Sequence, residues 1–389
     1  MAKALVLDGQ LRSALAVTRS LGRKGIEAHV VGDTWATTSF FSKHCRRRII
    51  LPSIQTDFPG FAQQFFQLLE RERYSVIYPI TNDSLDFLDS HRERISPLAG
   101  LLLPSAGSLR TARDKARVGR LAEELNIPVP RRFELKAGEN PAEAARRFEY
   151  PILVKPRIGY GSRGVGVARS ALEFPSVYQA AAKIHPDPLI QEFVPPGGAA
   201  IGASVFFDAA ARPKTVFVHK RIREYPVSGG PSTLRISIKH PQAAEYALRL
   251  CGHLGWRGVA MVEFKEDPRT GELKLLEVNP RFWGSLALAV NSGVDFPYLY
   301  YLAAARKRIP VPAEYTEGML CRWLLPGDLL NFVYNPKRFA LEPSFFRFLG
   351  KNLRYDILSI TDPLPTLGRI SAFIRYLADR DIWAFVLRR

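Results

Sequence analysis

Two glutamates flank a turn. The apolar runs Ala260-Met261-Val262-Glu263-Phe264 and Leu273-Lys274-Leu275-Leu276-Glu277-Val278-Asn279 lie on either side of Asp267-Pro268-Arg269-Thr270-Gly271, a strand–turn–strand signal. A hairpin centred on Thr270 sets Glu263 opposite Glu277, and a side-chain period of two puts Asn279 on the same face. Opposed carboxylates have Cβ atoms about 5 Å apart and repel each other. A divalent cation bridges such pairs, and an all-oxygen ligand set shared with phosphate oxygens suits Mg²⁺. The competing reading is an exposed hairpin with solvated acids, or a register shifted by one. Arg281 follows in Glu277-Val278-Asn279-Pro280-Arg281. A guanidinium there is suited to steadying an oxyanion or gripping a phosphoryl group; the plainer reading is a surface arginine.

The second cluster is Gly159-Tyr160-Gly161-Ser162-Arg163-Gly164-Val165-Gly166, with Lys155 just before it. Residues 159–164 match G-x-G-x-x-G, but a dinucleotide loop opens a helix. Here Val165-Gly166-Val167-Ala168 continues as a strand. No Lys-Ser/Thr follows Gly164, so it is not a P-loop, and no Asp-Phe-Gly or His-Arg-Asp supports a kinase. A strand, a glycine hairpin and a strand remain. Glycines let backbone N–H groups approach phosphate oxygens, and a lysine adds a point charge.

The elements that must position these groups fall into two textures. Ala4–Leu7, Ala28–Val31, Arg48–Leu51, Val76–Tyr78 and Leu101–Leu103 read as strands, with helices at Ala14–Leu21 and Phe58–Leu69 between them, the alternation of a parallel, doubly covered sheet. Ser108–Leu125 reads as one helix capped by Ser108 and stopped by Asn126 and Pro128. Beyond Pro151 the strands are closely spaced and mainly antiparallel, interrupted by a helix near Ala243–Leu254.

With these placed, the order Asp114-Lys115, Pro151-Ile152-Leu153-Val154-Lys155-Pro156 with its glycine loop, Gln191-Glu192-Phe193-Val194, Glu263 and Glu277-Val278-Asn279-Pro280-Arg281 resembles the ATP-grasp superfamily. Carboxylate–amine ligases and the carbamoyl phosphate synthetase large chain are the nearest likeness, with biotin carboxylase a further relative. The resemblance covers about residues 1–310. It implies an α/β plus α+β chain: a Rossmann-like pre-ATP-grasp domain (1–105), a two-subdomain ATP-grasp fold (106–310, flap-bearing part about 130–195) and a mainly helical C-terminal extension (311–389). It further implies Lys115 and Lys155 on ATP phosphates, and Gly161, Ser162, Gly164 and Gly166 in a flap over them. Gln191, Glu192, Phe193 and Val194 would lie at the adenine edge. Glu263, Glu277 and Asn279 would bind two Mg²⁺ ions (Mn²⁺ as an alternative), with Arg281 and Lys155 as the catalytic pair. One departure is that Ala200-Ile201-Gly202 lacks the ribose-binding acid of many relatives.

The expected activity is phosphorylation of a small-molecule carboxylate by ATP and coupling of the acyl phosphate to an amine. The alternatives are a carboxylase acting through carboxyphosphate, and a nucleotide-binding regulatory or membrane-peripheral protein. The acceptor candidates lie in the segment from His219 to Arg235: Arg221, Arg223, Gly229, Gly230, Ser232, Thr233 and Arg235, a segment that combines four cations, Lys220 and these three arginines, with a Gly-Gly-Pro-Ser-Thr turn; the competing reading is a basic strand and a surface turn. His219 itself reads as structural. Gly9-Gln10 and Thr81-Asn82-Asp83 sit at strand C-ends, where open sheets bind ligands.

Composition narrows the rest. The 389 residues are 47% hydrophobic and 24% charged, with 55 Lys+Arg against 37 Asp+Glu, ordinary for a globular chain of two or three domains. The net charge of +18 is spread out, its densest block being Arg46-Arg47-Arg48; it suits anionic substrates, and no nucleic acid partner is expected. Cys45, Cys251 and Cys321 show no metal-ligand spacing, and with a start that lacks a signal h-region they suggest the cytoplasm. Leu367, Ile370, Phe373, Ile374 and Leu377 fall at helical spacing among Arg369, Arg375 and Arg380, with Trp383 beyond. Two readings of this tail stand: a weak peripheral membrane contact, or packing in the core or a homodimer.

Overall fold

A computed structural model of the chain describes residues 2–136, 138–159, 164–311 and 314–377. Gly161, Ser162, Arg380 and Trp383 lie outside the described residues. The first hundred residues alternate as the apolar runs require. β1 (Lys3–Val6), β2 (Glu27–Gly32), β3 (Cys45–Ile50), β4 (Tyr74–Tyr78) and β5 (Ala99–Gly100) form a parallel sheet in the order β3-β2-β1-β4-β5. Central β1 is apolar and buried from Ala4 to Val6 because parallel sheets are covered on both faces. Edge strand β3 carries the exposed Arg46, Arg47 and Arg48, charges that oppose edge-to-edge pairing. The expected strand Leu101–Leu103 starts two residues earlier, at Ala99–Gly100, and the Leu102 N–H donates to Tyr300 Oη (3.2 Å) instead of to β4.

The single helix expected over 108–125 is two, Ala106–Arg113 and Lys115–Glu124. Asp114 breaks it: its backbone is extended, and its carboxylate accepts from the N–H groups of Ala116 and Arg117 as an N-cap. The first helix is capped by Ser105, three residues earlier than expected.

β6 (Arg132–Phe133), β7 (Ile152–Lys155), β8 (Gly166–Ala168) and β9 (Leu189–Glu192) form a small antiparallel sheet, order β6-β9-β7-β8. It has its own core, including Ile152, Val154, Phe174 and Ile190. β10 (Ala200–Phe207), β11 (Pro213–Glu224), β12 (Ser232–Ser237), β13 (Gly258–Glu266), β14 (Leu273–Asn279), β15 (Leu320–Arg322) and β16 (Leu353–Tyr355) form the large sheet, order β14-β13-β10-β11-β12-β15-β16. The parallel and large sheets share their apolar clusters; Val30 and Tyr78 belong with Phe206, Trp283 and Tyr300.

The stretch beyond 311 is helical toward its end, and it also joins the large sheet. It supplies β15 and β16 as well as helices at Leu329–Tyr334 and Leu364–Leu377. Strands of three residues are too short for a period-two pattern to register. The last helix packs on residues 38–41, where Gly368 leaves room for the Phe41 ring. Among the described residues no helix is long and apolar enough to cross a membrane.

Candidate active site

β13 and β14 pair antiparallel with Glu263 opposite Glu277 and Met261 opposite Asn279, the register read from the sequence. Toward the turn Phe264 faces Leu275, so Leu276 is bulged out. Asn279 Nδ2 donates to Glu263 Oε1 (3.0 Å) and Glu277 Oε1 (3.4 Å). The two carboxylates therefore converge on one atom. Among the described residues no three His, Cys, Asp or Glu side chains are grouped so as to hold a metal ion by themselves. Two carboxylates, with the amide oxygen of Asn279 once that amide turns from Arg281, make an all-oxygen set of hard ligands that fits Mg²⁺ shared with phosphate oxygens.

Cations surround the pair. Arg221, on β11 and so across β10 from β13, donates through Nη2 to Glu263. Lys115 Nζ lies 3.2 Å from Glu277 Oε2 and donates to Gly159 O (3.1 Å). Lys155, at the end of β7, is buried; burial and the charge of Lys115 lower its ammonium to about 8, against the opposing pull of Glu277 and Glu263. Burial, seconded by Glu277, raises the Glu263 carboxyl despite Arg221. Burial pushes Glu277 up as well, but Lys115 and Lys155 outweigh it and hold that carboxyl low. Arg281 donates from Nη2 to Asn279 Oδ1 (3.3 Å) and from Nε to Asn82 Oδ1 (3.0 Å), so the Thr81-Asn82-Asp83 turn reaches the site through Arg281.

Asp114 and Arg157 hold Lys115 in place. Arg157 donates to both Asp114 oxygens (3.0 and 2.5 Å), and the Lys115 N–H donates to Arg157 O (3.0 Å). The loop after β7 is thus clamped to the start of the Lys115–Glu124 helix.

These groups line one cavity of about 1330 Å³, larger than the roughly 300–1,000 Å³ usual for one small ligand. Lys115, Lys155, Gly166, Gln191, Phe193, Val194, Glu263, Glu277, Asn279 and Arg281 all face it. Gly164 and Glu192 do not. Gly164 has φ +69° and packs where a Cβ would meet Ile184. Glu192 accepts from Lys274 (2.6 Å) and Arg269 (3.0 Å), which pins the end of β9 and leaves the backbone of Phe193–Val194 on the wall.

The candidate acceptor segment divides. Arg221, Arg223, Gly229, Gly230 and Ser232 line the cavity. Thr233 and Arg235 are buried outside it. Thr233 Oγ1 donates to Asp328 (2.9 Å), and Arg235 pairs with Asp356. Arg223 is also bound bidentately to Asp328 (2.8 and 2.8 Å). The segment read as the acceptor candidate, with a basic strand and surface turn as its competing reading, is two paired strands, β11 and β12, joined through the glycine turn, and half its cations serve the fold. His219 is structural, buried with its imidazole pushed down to about 3 by burial and then by Arg221, and within 3.2 Å of Ser285 Oγ. Sequence reasoning missed Arg12, Trp283 and Trp323, which also line the cavity; lone residues on separate segments leave no spacing to read.

Two family models match. "Carbamoyl-phosphate synthase L chain, ATP binding domain" covers residues 114–193, and "ATP-grasp in the biosynthetic pathway with Ter operon" covers 209–325. The chain belongs to the ATP-grasp superfamily. The arginine-specific carbamoyl phosphate synthase large chain of Schizosaccharomyces pombe is 24% identical over 256 residues, 64% of this chain and 21% of that protein. The carbamoyl phosphate synthase large chain of Methanobrevibacter smithii is 27% identical over 47% of this chain and 18% of that one. The chain thus matches about a fifth of these relatives' lengths. In fold it is similar to biotin carboxylase from Campylobacter jejuni, with a TM-score of 0.68 and 16% identity over 82% of this chain and 74% of that one. N5-carboxyaminoimidazole ribonucleotide synthetase in its ADP complex gives 0.62 and 18% over 82% and 80%. In this ATP-grasp chain both matched stretches carry cavity-lining residues, Lys115 and Lys155 in the first and Glu263, Glu277 and Arg281 in the second.

Proposed function

We propose that the chain is an ATP-dependent ligase that phosphorylates a small-molecule carboxylate and couples the acyl phosphate to an amine, releasing ADP and phosphate. One observation carries the reading: two opposed glutamates and Asn279 share a cavity wall with Lys115, Lys155 and Arg281. A purely structural hairpin would have no use for this convergence. In domain terms the reading takes 1–105 as a pre-ATP-grasp unit, 106–310 as the ATP-grasp fold and 311–389 as an extension.

Lys115 and Lys155 would take the phosphate oxygens of ATP, and the backbone of Phe193 and Val194 the adenine edge. Glu263, Glu277 and Asn279 would hold Mg²⁺, which when bound supplies charge neutralisation between phosphates. Arg221 and Lys115 now occupy the carboxylates, so both side chains must shift when nucleotide arrives. Bringing a carboxylate to the γ-phosphoryl sets anion against anion; at 4 Å one such pair repels by ~4 kcal/mol at an effective dielectric of 20. Lys115, Lys155 and Arg281 offset that repulsion and align the groups. A carboxylate oxygen takes the phosphoryl group as the bond to ADP breaks. The amine then attacks the carbonyl carbon, loses a proton, and phosphate leaves.

The test is ADP release with Mg²⁺-ATP against pooled carboxylates crossed with pooled amines, with Glu277→Gln alongside. Release that needs one acid and one amine and disappears in the variant is the expected result. Release with bicarbonate alone would replace this reading by the carboxylase, and ATP binding without release in any pool by the regulatory binder.

A further inference from the structure

The cavity runs well past the glutamates. Its wall also carries a group around Arg12 at the start of helix α1 (Arg12–Arg23), with Trp283, Trp323, Leu341, Ile357 and Arg369. The last three belong to 326–389, beyond both matched family models.

Around Arg12 three buried donors without a hydrogen-bond partner, on Arg12, Trp283 and Trp323, outnumber the acceptors without one, Gln10 Oε1 and Asp356 Oδ2, among the described residues. The Arg12 guanidinium stacks on Trp323 at 3.9 Å, its Nε is 3.7 Å from Asp356 Oδ2, and its Nη2 reaches Ser232 O at 3.5 Å. Asp356 Oδ1 is engaged by Arg235 and by Cys321 Sγ (3.2 Å), while Oδ2 faces Arg12 beyond hydrogen-bond distance. Arg12 Nη1, Trp283 Nε1 and Trp323 Nε1 are buried without a partner among the described residues. Buried donors left unpaired cost about 1–3 kcal/mol each, so their convergence on one cavity wall marks a place for an acceptor. Helix α1 adds to this: Leu11 provides no side-chain cap and the first turn carries no acid, leaving its positive end uncompensated. Along the whole cavity nine Lys and Arg side chains face three Glu. Trp323, Leu341 and Ile357 make the rest of this group apolar.

We propose that this part of the cavity is the acceptor subsite, and that it takes an amine carrying its own oxyanion, a carboxylate in the first instance, on an apolar body. The proposal rests on the ligase reading for the word acceptor, while the subsite itself is tested without turnover. The oxyanion lies against Arg12 and the indole N–H groups, the apolar body against Trp323, Leu341 and Ile357, and the amine faces the glutamates. The segment beyond 326 thereby selects the substrate.

The probe is benzoate against benzamide, which share a body and differ in the oxyanion, followed by tryptophan fluorescence of the full chain with and without Mg²⁺-ADP. Benzoate should bind at least tenfold more tightly than benzamide, and still do so with Mg²⁺-ADP bound at the glutamates. Arg12→Met should weaken benzoate tenfold to a hundredfold, the scale of a charge-assisted bond, and leave Mg²⁺-ADP affinity unchanged. Gly284→Ala serves as the second variant: its Cβ would fall 2.7 Å from Arg12 Nη2, so it displaces the guanidinium without removing its charge, and it should weaken benzoate in the same sense. Equal binding of the two probes, no binding of either, or benzoate affinity unmoved by both variants would overturn the subsite. Loss of Mg²⁺-ADP binding alone would instead count against the ligase reading.

Discussion

Replacing Asp328 by Asn should cost about 3 kcal/mol of folding stability. Asp328 is fully buried and accepts from Arg223 Nε and Nη2 (2.8 Å each), Arg322 Nε (2.5 Å) and Thr233 Oγ1 (2.9 Å). One carboxylate thus serves two buried guanidinium groups, and breaking a buried pair costs about 3–5 kcal/mol because a charge is left uncompensated. The lower end applies here. Arg223 Nη1 keeps Pro343 O (2.6 Å), Arg322 Nη2 keeps Phe345 O (2.8 Å), and Asn retains the volume. The assay is guanidinium chloride unfolding, with Glu245→Gln as control. Its exposed pair with Arg249 (3.3 Å) should contribute under about 0.5 kcal/mol. The pH dependence has a definite sign. Burial raises the Asp328 carboxyl, but Arg223 and Arg322 outweigh it and hold it below the ordinary 3.8. Its contribution is then full above 3.8 and lost as pH falls through the folded value, so the gap between wild type and variant should narrow only below that point. A loss under 1 kcal/mol, or a gap that narrows already near neutrality, would refute the reasoning.

Further expectations concern the nucleotide end. Lys155 is lowered to about 8, so above that pH ATP affinity in the titrated protein should fall toward tenfold per pH unit; Lys155→Arg should flatten the profile measured by calorimetry. Asp114→Ala removes a helix cap worth about 1 kcal/mol together with the Arg157 clamp, and should raise KM for ATP more than it lowers kcat. Gly166→Ala places a Cβ 2.7 Å from Val177 Cγ1; thermal unfolding should show a loss of about 1–3 kcal/mol, with the metal end unaffected.

The pairing of Glu263 with Glu277 was legible because the turn signal at 267–271 sets the centre of the hairpin, although next to the turn the pairs are shifted by one and the bulge at Leu276 restores the register. The bulge at Leu276 was not, since apolar residues on both sides fit either count. Asp114 hid within an unbroken helical spacing; its cap bonds to the Ala116 and Arg117 N–H groups appear only in the structure, as does its clamp to Arg157, forty-three positions away. β12 passed for a turn because Gly229-Gly230-Pro231 precedes it directly. The part of the cavity around Arg12 was illegible for a different reason. Arg12, Trp283, Trp323 and Ile357 meet only because the parallel and large sheets share one core, and no local pattern encodes that juxtaposition.

The central claim is that the paired glutamates and the lysines form one metal–nucleotide site. Calorimetric titration of ATP with and without Mg²⁺, into wild type, Glu277→Gln and Lys155→Met, tests it most directly. The account expects Mg²⁺-dependent binding that weakens at least tenfold in each variant. ATP binding that ignores Mg²⁺ and both substitutions, or no ATP binding by the wild-type chain, would contradict it.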